Sequence, residues 1–215
     1  MTAPLPDTIP VFPLPGVLLL PQGELPLKIF EPRYVNLLLD CLGEGRLMGL
    51  IQTRRDESHP VPEGAPVYPV GCLGRVSAFM ETQDGAFLIT LTGINRFTVV
   101  AESEPCRGYR RMRVAYGDFS EDTMPDLPFP IDRARLLDTA GAYLRPRGLE
   151  ADWEALKRAP DSLLVTSLAM ACPLEAREKQ ALLECSLAER AELLLALLEM
   201  GARARPDPDT PAVRH

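Results

Sequence analysis

Short apolar or alternating runs, separated by glycine and proline, fill the first half of the chain at residues 9–12, 17–20, 25–30, 47–51, 67–82, 86–92, 97–102 and 109–116. Runs of this length and punctuation predict β-strands, and their close spacing predicts a small barrel. Asp84-Gly85 separates two of them and supplies the positive φ angles of a tight hairpin turn, so residues 77–81 are expected to pair antiparallel with 87–91. A period of two then sends Phe87, Ile89 and Leu91 to one face and Leu88, Thr90 and Thr92 to the other. Gly93 is placed to bend or bulge the chain before Arg96 and Phe97. One helix interrupts this half, because Tyr34, Leu37, Leu38, Cys41 and Leu42 fall three and four residues apart.

Beyond residue 116 the pattern changes. Residues 117–130 combine acids with prolines and read as a linker or extended crossing. From there the apolar positions take helical spacing over 132–144, 152–157, 162–171, 174–184 and 187–202. Ser186 and Glu189 form a capping box for the last of these, Pro173 suits a first turn, and Glu175/Lys179 and Glu199/Arg203 have the favourable i,i+4 order. Apolar stripes on several short helices predict a bundle. The predicted organisation is a barrel over 1–116, a linker over 117–130, a helical bundle over 131–203 and a disordered tail over 204–215.

The junction at residues 25–34 is the most specific local feature. Pro32 has no N–H to lose and a preset φ, so it fits a first helical position, and Glu31 sits where the helix dipole favours an anion. Together with Phe12-Pro13-Leu14, the run Gly71-Cys72-Leu73-Gly74-Arg75-Val76 and the run Gly93-Ile94-Asn95-Arg96-Phe97, this stretch resembles the amino-terminal, substrate-recognising domain of the Lon family of ATP-dependent proteases. The similarity covers about residues 9–116, and Ser167-Leu168-Ala169-Met170, Pro173 and residues 178–184 resemble the helical remainder of that domain. It implies an α+β fold: a pseudouridine-synthase-associated (PUA-like) β-barrel with one inserted helix, followed by a helical bundle. Two positions depart from the family pattern. Lys28 stands where His or Asn is commoner, and Gln22 interrupts a usual Pro-Gly pair.

The candidate binding residues are Glu31, Arg33, Tyr34 and Arg96. Helix-start chemistry accounts for Glu31 as a cap and for Arg33 as a brace to a carboxylate or carbonyl across the barrel mouth. In the functional alternative the same pair lines a groove that receives a polypeptide. Arg96, beside Phe97 on a strand, divides in the same way between a cross-strand pair and a ligand clamp.

Charge narrows the partners. Residues 1–116 carry 11 basic and 12 acidic side chains, and residues 117–215 carry 12 and 18, which together give the net −7. An acidic back half repels phosphate backbones, which disfavours nucleic acid. The apolar run at 17–20 is too short to cross a bilayer, and the first residues show no basic leader, so a cytoplasmic protein without membrane contact is expected. Five cysteines form no C-x-x-C pair, and two histidines, His59 in an exposed-looking loop and the terminal His215, offer neither a metal cluster nor a Cys-His pair. No phosphate-cradling G-x-x-x-x-G-K-[ST] occurs, and Lys179 with Ser186, on a segment expected at the surface, makes no credible Ser-Lys dyad.

No cofactor, metal or catalytic residue is therefore expected. Because the chain ends after the bundle, the resemblance implies a stand-alone, non-enzymatic module. It would bind unfolded or exposed apolar polypeptide segments, or act as an adaptor to a protease or chaperone, through a groove between barrel and bundle and with possible strand addition at a barrel edge. An ATP-independent peptidase and an RNA-binding PUA-like protein are the alternatives. The oligomeric state stays open.

Overall fold

The computed structural model describes residues 4–55, 60–124 and 127–203. Its contacts divide the chain into two compact units, residues 1–125 and 126–215. The first holds β1 (Thr8–Pro13), β2 (Glu24–Ile29), α1 (Pro32–Gly43), β3 (Leu47–Ile51), β4 (Val70–Glu81), β5 (Phe87–Cys106) and β6 (Tyr109–Ala115). Strands run in the order β2-β5-β4-β3-β1-β6, and a further β5–β6 pairing closes the sheet on itself. Closure is possible because β5 is long enough to serve both ends: residues from Phe87 to Thr98 pair with β4, and those from Thr98 to Cys106 with β6. The interior is filled by Ile9, Val11, Ile51, Leu73, Phe97, Met112 and Val114. Each fully buried side chain of this size contributes about 1.5–3 kcal/mol.

The hairpin forms as its turn chemistry predicts. Gly85 has φ +76°, and Met80 lies opposite Leu88. Phe87, Ile89 and Leu91 are buried, whereas Leu88 is exposed. Ile94 is the extra residue of a bulge, since Leu73 pairs with Asn95 and Gly74 with Gly93.

Three expectations are corrected. Residues 86–92 and 97–102 are not separate strands: β5 runs continuously through the bulge, because a single extra residue bends a strand without ending it. Residues 17–20 form no strand either. Leu18, Leu19 and Leu20 are buried, yet the Pro15-Gly16 and Pro21-Gln22 corners turn the run away from any ladder, and Gly93 instead donates its N–H to the Gly23 carbonyl at 2.8 Å. The segment taken as a linker starts with a 3-10 helix, Gly117–Thr123, whose Phe119 is buried. Its acids conceal an anchor, because Asp122 pairs with Arg96 at 2.7 Å.

The second unit contains α2 (Arg133–Leu144), α3 (Trp153–Arg158), α4 (Asp161–Ala171), α5 (Ala176–Glu184) and α6 (Leu187–Arg203). Helix α6 packs on α2, α4 and α5 and buries Ala191, Leu194, Leu197 and Leu198. The Ser186–Glu189 box is present: the Ser186 N–H donates to Glu189 Oε2 at 3.0 Å and the Glu189 N–H to the Ser186 hydroxyl at 3.4 Å. Helix α5 begins two residues later than the apolar pattern suggests, because Glu175 and Glu178 make a capping box of their own. Arg190 is buried and donates to the Leu182 carbonyl at 2.7 Å and the Cys185 carbonyl at 3.0 Å, satisfying the end of α5. Pairing of Glu199 with Arg203 is loose at 3.8 Å. The tail at 204–215 and His59 lie outside the described residues.

Lys179 is buried rather than on the surface. Burial pushes its ammonium below the ordinary lysine value, while burial pushes the neighbouring Cys172 thiol up to about 12. Between the lowered value and the ordinary one, the unfolded chain binds more protons at Lys179 than the folded chain does, so stability rises with pH there. The raised Cys172 thiol opposes this above about pH 9, so the check is the difference between two chains: Lys179→Met, which keeps the volume and removes the charge, is expected to lose the rising contribution and show a less positive slope of thermal stability with pH across the window. An unchanged slope in the variant would trace the rise to other groups.

Candidate functional site

The sequence Ile29-Phe30-Glu31-Pro32-Arg33-Tyr34 turns the chain from β2 into α1. Glu31 is the N-cap residue, with φ −69° and ψ 132°, and Pro32 occupies the first turn. The cap is made by backbone alone: the Glu31 carbonyl accepts from the N–H groups of Tyr34 and Val35, each at 2.9 Å, and the carboxylate makes no cap bond. That carboxylate turns instead to Arg33, whose Nε and Nη2 reach Oε2 at 3.1 and 2.8 Å. Nη2 also donates to the Val61 carbonyl at 2.6 Å. Arg110 holds the far end of the same loop through the Ala65 carbonyl at 2.7 Å and is itself fixed by Glu102. Two arginines thus fasten the loop that carries Val61 beside the junction.

A cavity of about 280 Å³ opens there. Its apolar walls come from Phe12 and Leu14 at the end of β1, Leu27 and Ile29 of β2, Tyr34 of α1, and Val61 of the loop. The rings of Phe12 and Tyr34 lie 4.3 Å apart, and the Arg33 guanidinium stands over the Tyr34 ring at 4.6 Å. Burial pushes the Tyr34 phenol up to about 12, against the pull of Arg33, so it stays protonated at any physiological pH. Phe30 belongs to the same wall and is 64% exposed, so its ring adds apolar surface in contact with water beside the recess. Lys28, at the rim, bonds Asp84 at 3.2 Å. A second, shallower recess of about 440 Å³ includes Pro32, Arg33, Pro60, Pro62 and Glu63, and it shares Glu31 and Val61 with the first. Glu31 and Val61 therefore form the partition between the two.

Of the four candidate residues, Glu31, Arg33 and Tyr34 come together at this junction. Arg96 does not. It is buried, with Nε and Nη2 on Asp122, Nη2 on Glu121 and its guanidinium 4.4 Å from the centre of the Phe119 ring. The cross-strand partner expected for it is replaced by the 3-10 helix. Val61, which carries no motif, and Phe12, known from the sequence only as part of Phe12-Pro13-Leu14, lie far from the junction in the chain and meet it only in the folded barrel. Among the described residues, no group of three His, Cys, Asp or Glu side chains is arranged to hold a metal, and no helix is long and apolar enough to cross a membrane.

The junction, the closed sheet and the helices define a class. Residues 8–200 match the model of the ATP-dependent protease La (LON) substrate-binding domain, and the chain belongs to that family. A Lon N-terminal domain protein from Xanthomonas campestris has a similar structure, with TM-score 0.63 and 25% identity, over 88% of this chain and 97% of that one. The N-terminal domain of Lon protease from Mycobacterium avium complex shares the fold at TM-score 0.62 and 15% identity, over 89% and 97% of the two chains. Lon protease 2 of Sorangium cellulosum is 30% identical over 100 residues and Lon protease 2 of Myxococcus xanthus 26% over 96; these spans cover 46% and 45% of this chain. They amount to only 12% of the length of either relative. The expected α+β fold, a PUA-like barrel with an inserted helix and a helical part after it, is the observed one.

Proposed function

We propose that the protein is a non-catalytic recognition module of the cytoplasm that binds unfolded or exposed apolar polypeptide segments in the recess between the end of β2 and α1. Its bound segment belongs to a damaged polypeptide or, in an adaptor role, to a protease or chaperone. The observation that carries this reading is the apolar cavity flanked by exposed Phe30, in a chain of a substrate-binding family. Apolar contact supplies the driving force there, less the cost of ordering the bound segment.

Strand addition at the open edge of β2 is less favourable than the cavity. The Thr82 N–H donates to the Ala86 carbonyl at 2.8 Å, and the regular registers across β4, β5 and β2 carry that alternation outward. The backbone groups of Glu24, Pro26 and Lys28 then point to the free edge, where Pro26 has no N–H to give. An added strand would lose a ladder bond at its centre.

Retention of an unfolded model protein, reduced and carboxymethylated α-lactalbumin, on immobilised protein tests the reading. Phe30→Ser is expected to weaken retention about tenfold, a loss of roughly 1.4 kcal/mol, while changing stability by less than about 0.5 kcal/mol, since Phe30 is largely exposed. No retention above background would remove the proposal. The same preparations separate the alternatives: peptide cleavage abolished by replacing one Ser or Cys would mark a peptidase, and retention on RNA with a steep salt dependence would mark a nucleic-acid binder.

A further inference from the structure

Apart from Lys28 at its rim, which bonds Asp84, the cavity holds two polar atoms that no described residue engages, the Tyr34 hydroxyl and Glu31 Oε1. Tyr34 is 4% exposed, and its hydroxyl has no hydrogen-bond partner among the described residues. Glu31 spends Oε2 on Arg33, and its Oε1 accepts no hydrogen bond among the described residues. Both side chains line the cavity. Neither atom is sealed from solvent, so a ligand that fills the cavity takes their water away and must replace its hydrogen bonds. A phenol that can donate or accept and a carboxylate oxygen that can only accept together call for a ligand that brings a donor.

Resting on the polypeptide-binding reading above, we infer that this cavity takes one aromatic side chain that carries a donor, a tyrosine or tryptophan of an unfolded segment, with its O–H or N–H given to Glu31 or Tyr34. The volume of about 280 Å³ is room enough for one aromatic side chain. The walls supply ring contacts through Phe12 and Tyr34 and aliphatic contacts through Leu14, Leu27, Ile29 and Val61. Phenylalanine or leucine would fill the same space and seal the two polar groups away from water unpaired. Lysine or arginine would bring donors together with a second cation beside Arg33, whose guanidinium already stands 4.6 Å from the Tyr34 ring centre.

The test uses short unstructured peptides, identical except for one central residue that is Tyr, Phe or Lys, titrated against the full chain by fluorescence anisotropy. The Tyr peptide is expected to bind about tenfold more tightly than the Phe peptide, and the Lys peptide most weakly. Tyr34→Phe is expected to bring the Tyr and Phe peptides close together without weakening the Phe peptide, and its urea midpoint should match the native one because the lost hydroxyl bonds to nothing. Glu31→Gln, which alters the acceptor but keeps the shape, is expected to reduce the Tyr preference as well. Equal affinity for the Tyr and Phe peptides in the native chain overturns the anchor assignment. Retention of unfolded α-lactalbumin with no peptide bound overturns it too, while leaving polypeptide binding intact; loss of both removes the two proposals together.

Discussion

Arg96→Ala is expected to lower the stability of the barrel by about 3–5 kcal/mol, the range found when one member of a buried ion pair is removed. Arg96 is 2% exposed, and its guanidinium meets Asp122 through Nε at 2.9 Å and Nη2 at 2.7 Å. The Arg96 backbone N–H donates to the same carboxylate at 2.8 Å. Asp122 is itself almost wholly buried, with 6% of its side chain exposed. Truncation therefore leaves a carboxylate facing apolar walls, takes the cation from the Phe119 ring, and frees the 3-10 helix that closes this side of the sheet. Urea unfolding followed by amide exchange in β5 measures the loss. Glu121→Ala is the internal comparison. Glu121 meets the same Nη2 at 2.9 Å, but 56% of its side chain is exposed, so its removal is expected to cost less than about 1 kcal/mol. Equal losses in the two variants would mean that burial does not set the strength of this cluster.

Gly93→Ala is the second large effect, expected at about 3 kcal/mol or more, beyond the usual cost of overpacking because backbone stands in the way. A Cβ at this position would lie 2.0 Å from the Leu20 carbonyl oxygen and 2.7 Å from its carbonyl carbon. Neither group can rotate aside. Leu20 belongs to the buried run that lies against the bulge, and Gly93 is held on both sides, with its N–H on the Gly23 carbonyl at 2.8 Å and its carbonyl accepting from Gln22 at 2.9 Å. Separating the two segments breaks these bonds and opens the packing of Leu18, Leu19 and Leu20. With about 2–4 °C of midpoint per kcal/mol for a chain of this size, the thermal transition is expected about 6–12 °C lower. Gly117→Ala, where nothing lies within 4 Å of the added carbon, is expected to stay within about 0.5 kcal/mol of the native chain. A silent Gly93→Ala would show that the run at 17–20 moves freely against β5.

The two substitutions act on the scaffold, whereas Phe30→Ser and Tyr34→Phe act on the recess and leave the scaffold whole. This separation has a structural basis. Arg96 and Gly93 lie within the closed sheet, where each contact is shared by several strands. Glu31, Arg33 and Val61 hold one another at its margin, with the Arg33–Glu31 pair only partly buried and the neighbouring Phe30 in contact with water. Recognition can then change at the margin without unfolding the barrel.

Features that depend on residues one to four apart were legible in the chain before any fold was known. Asp84-Gly85 specified its hairpin, Ser186 and Glu189 their capping box, Pro32 the start of α1, and the three-and-four spacing of Tyr34, Leu37, Leu38 and Cys41 the buried face of that helix. Each of these rests on local sterics and hydrogen bonds, so the neighbours in sequence suffice. Tertiary structure alone decided that the run at 17–20 is buried without a ladder, that Asp122 leaves an acidic, proline-rich stretch to neutralise Arg96, that Lys179 is buried, and that the Val61 carbonyl is what Arg33 reaches across the barrel margin. Those outcomes depend on which distant segment arrives to exclude water, as Val61 and Phe12 do around Tyr34, and a one-dimensional pattern of apolar and charged residues does not carry that choice.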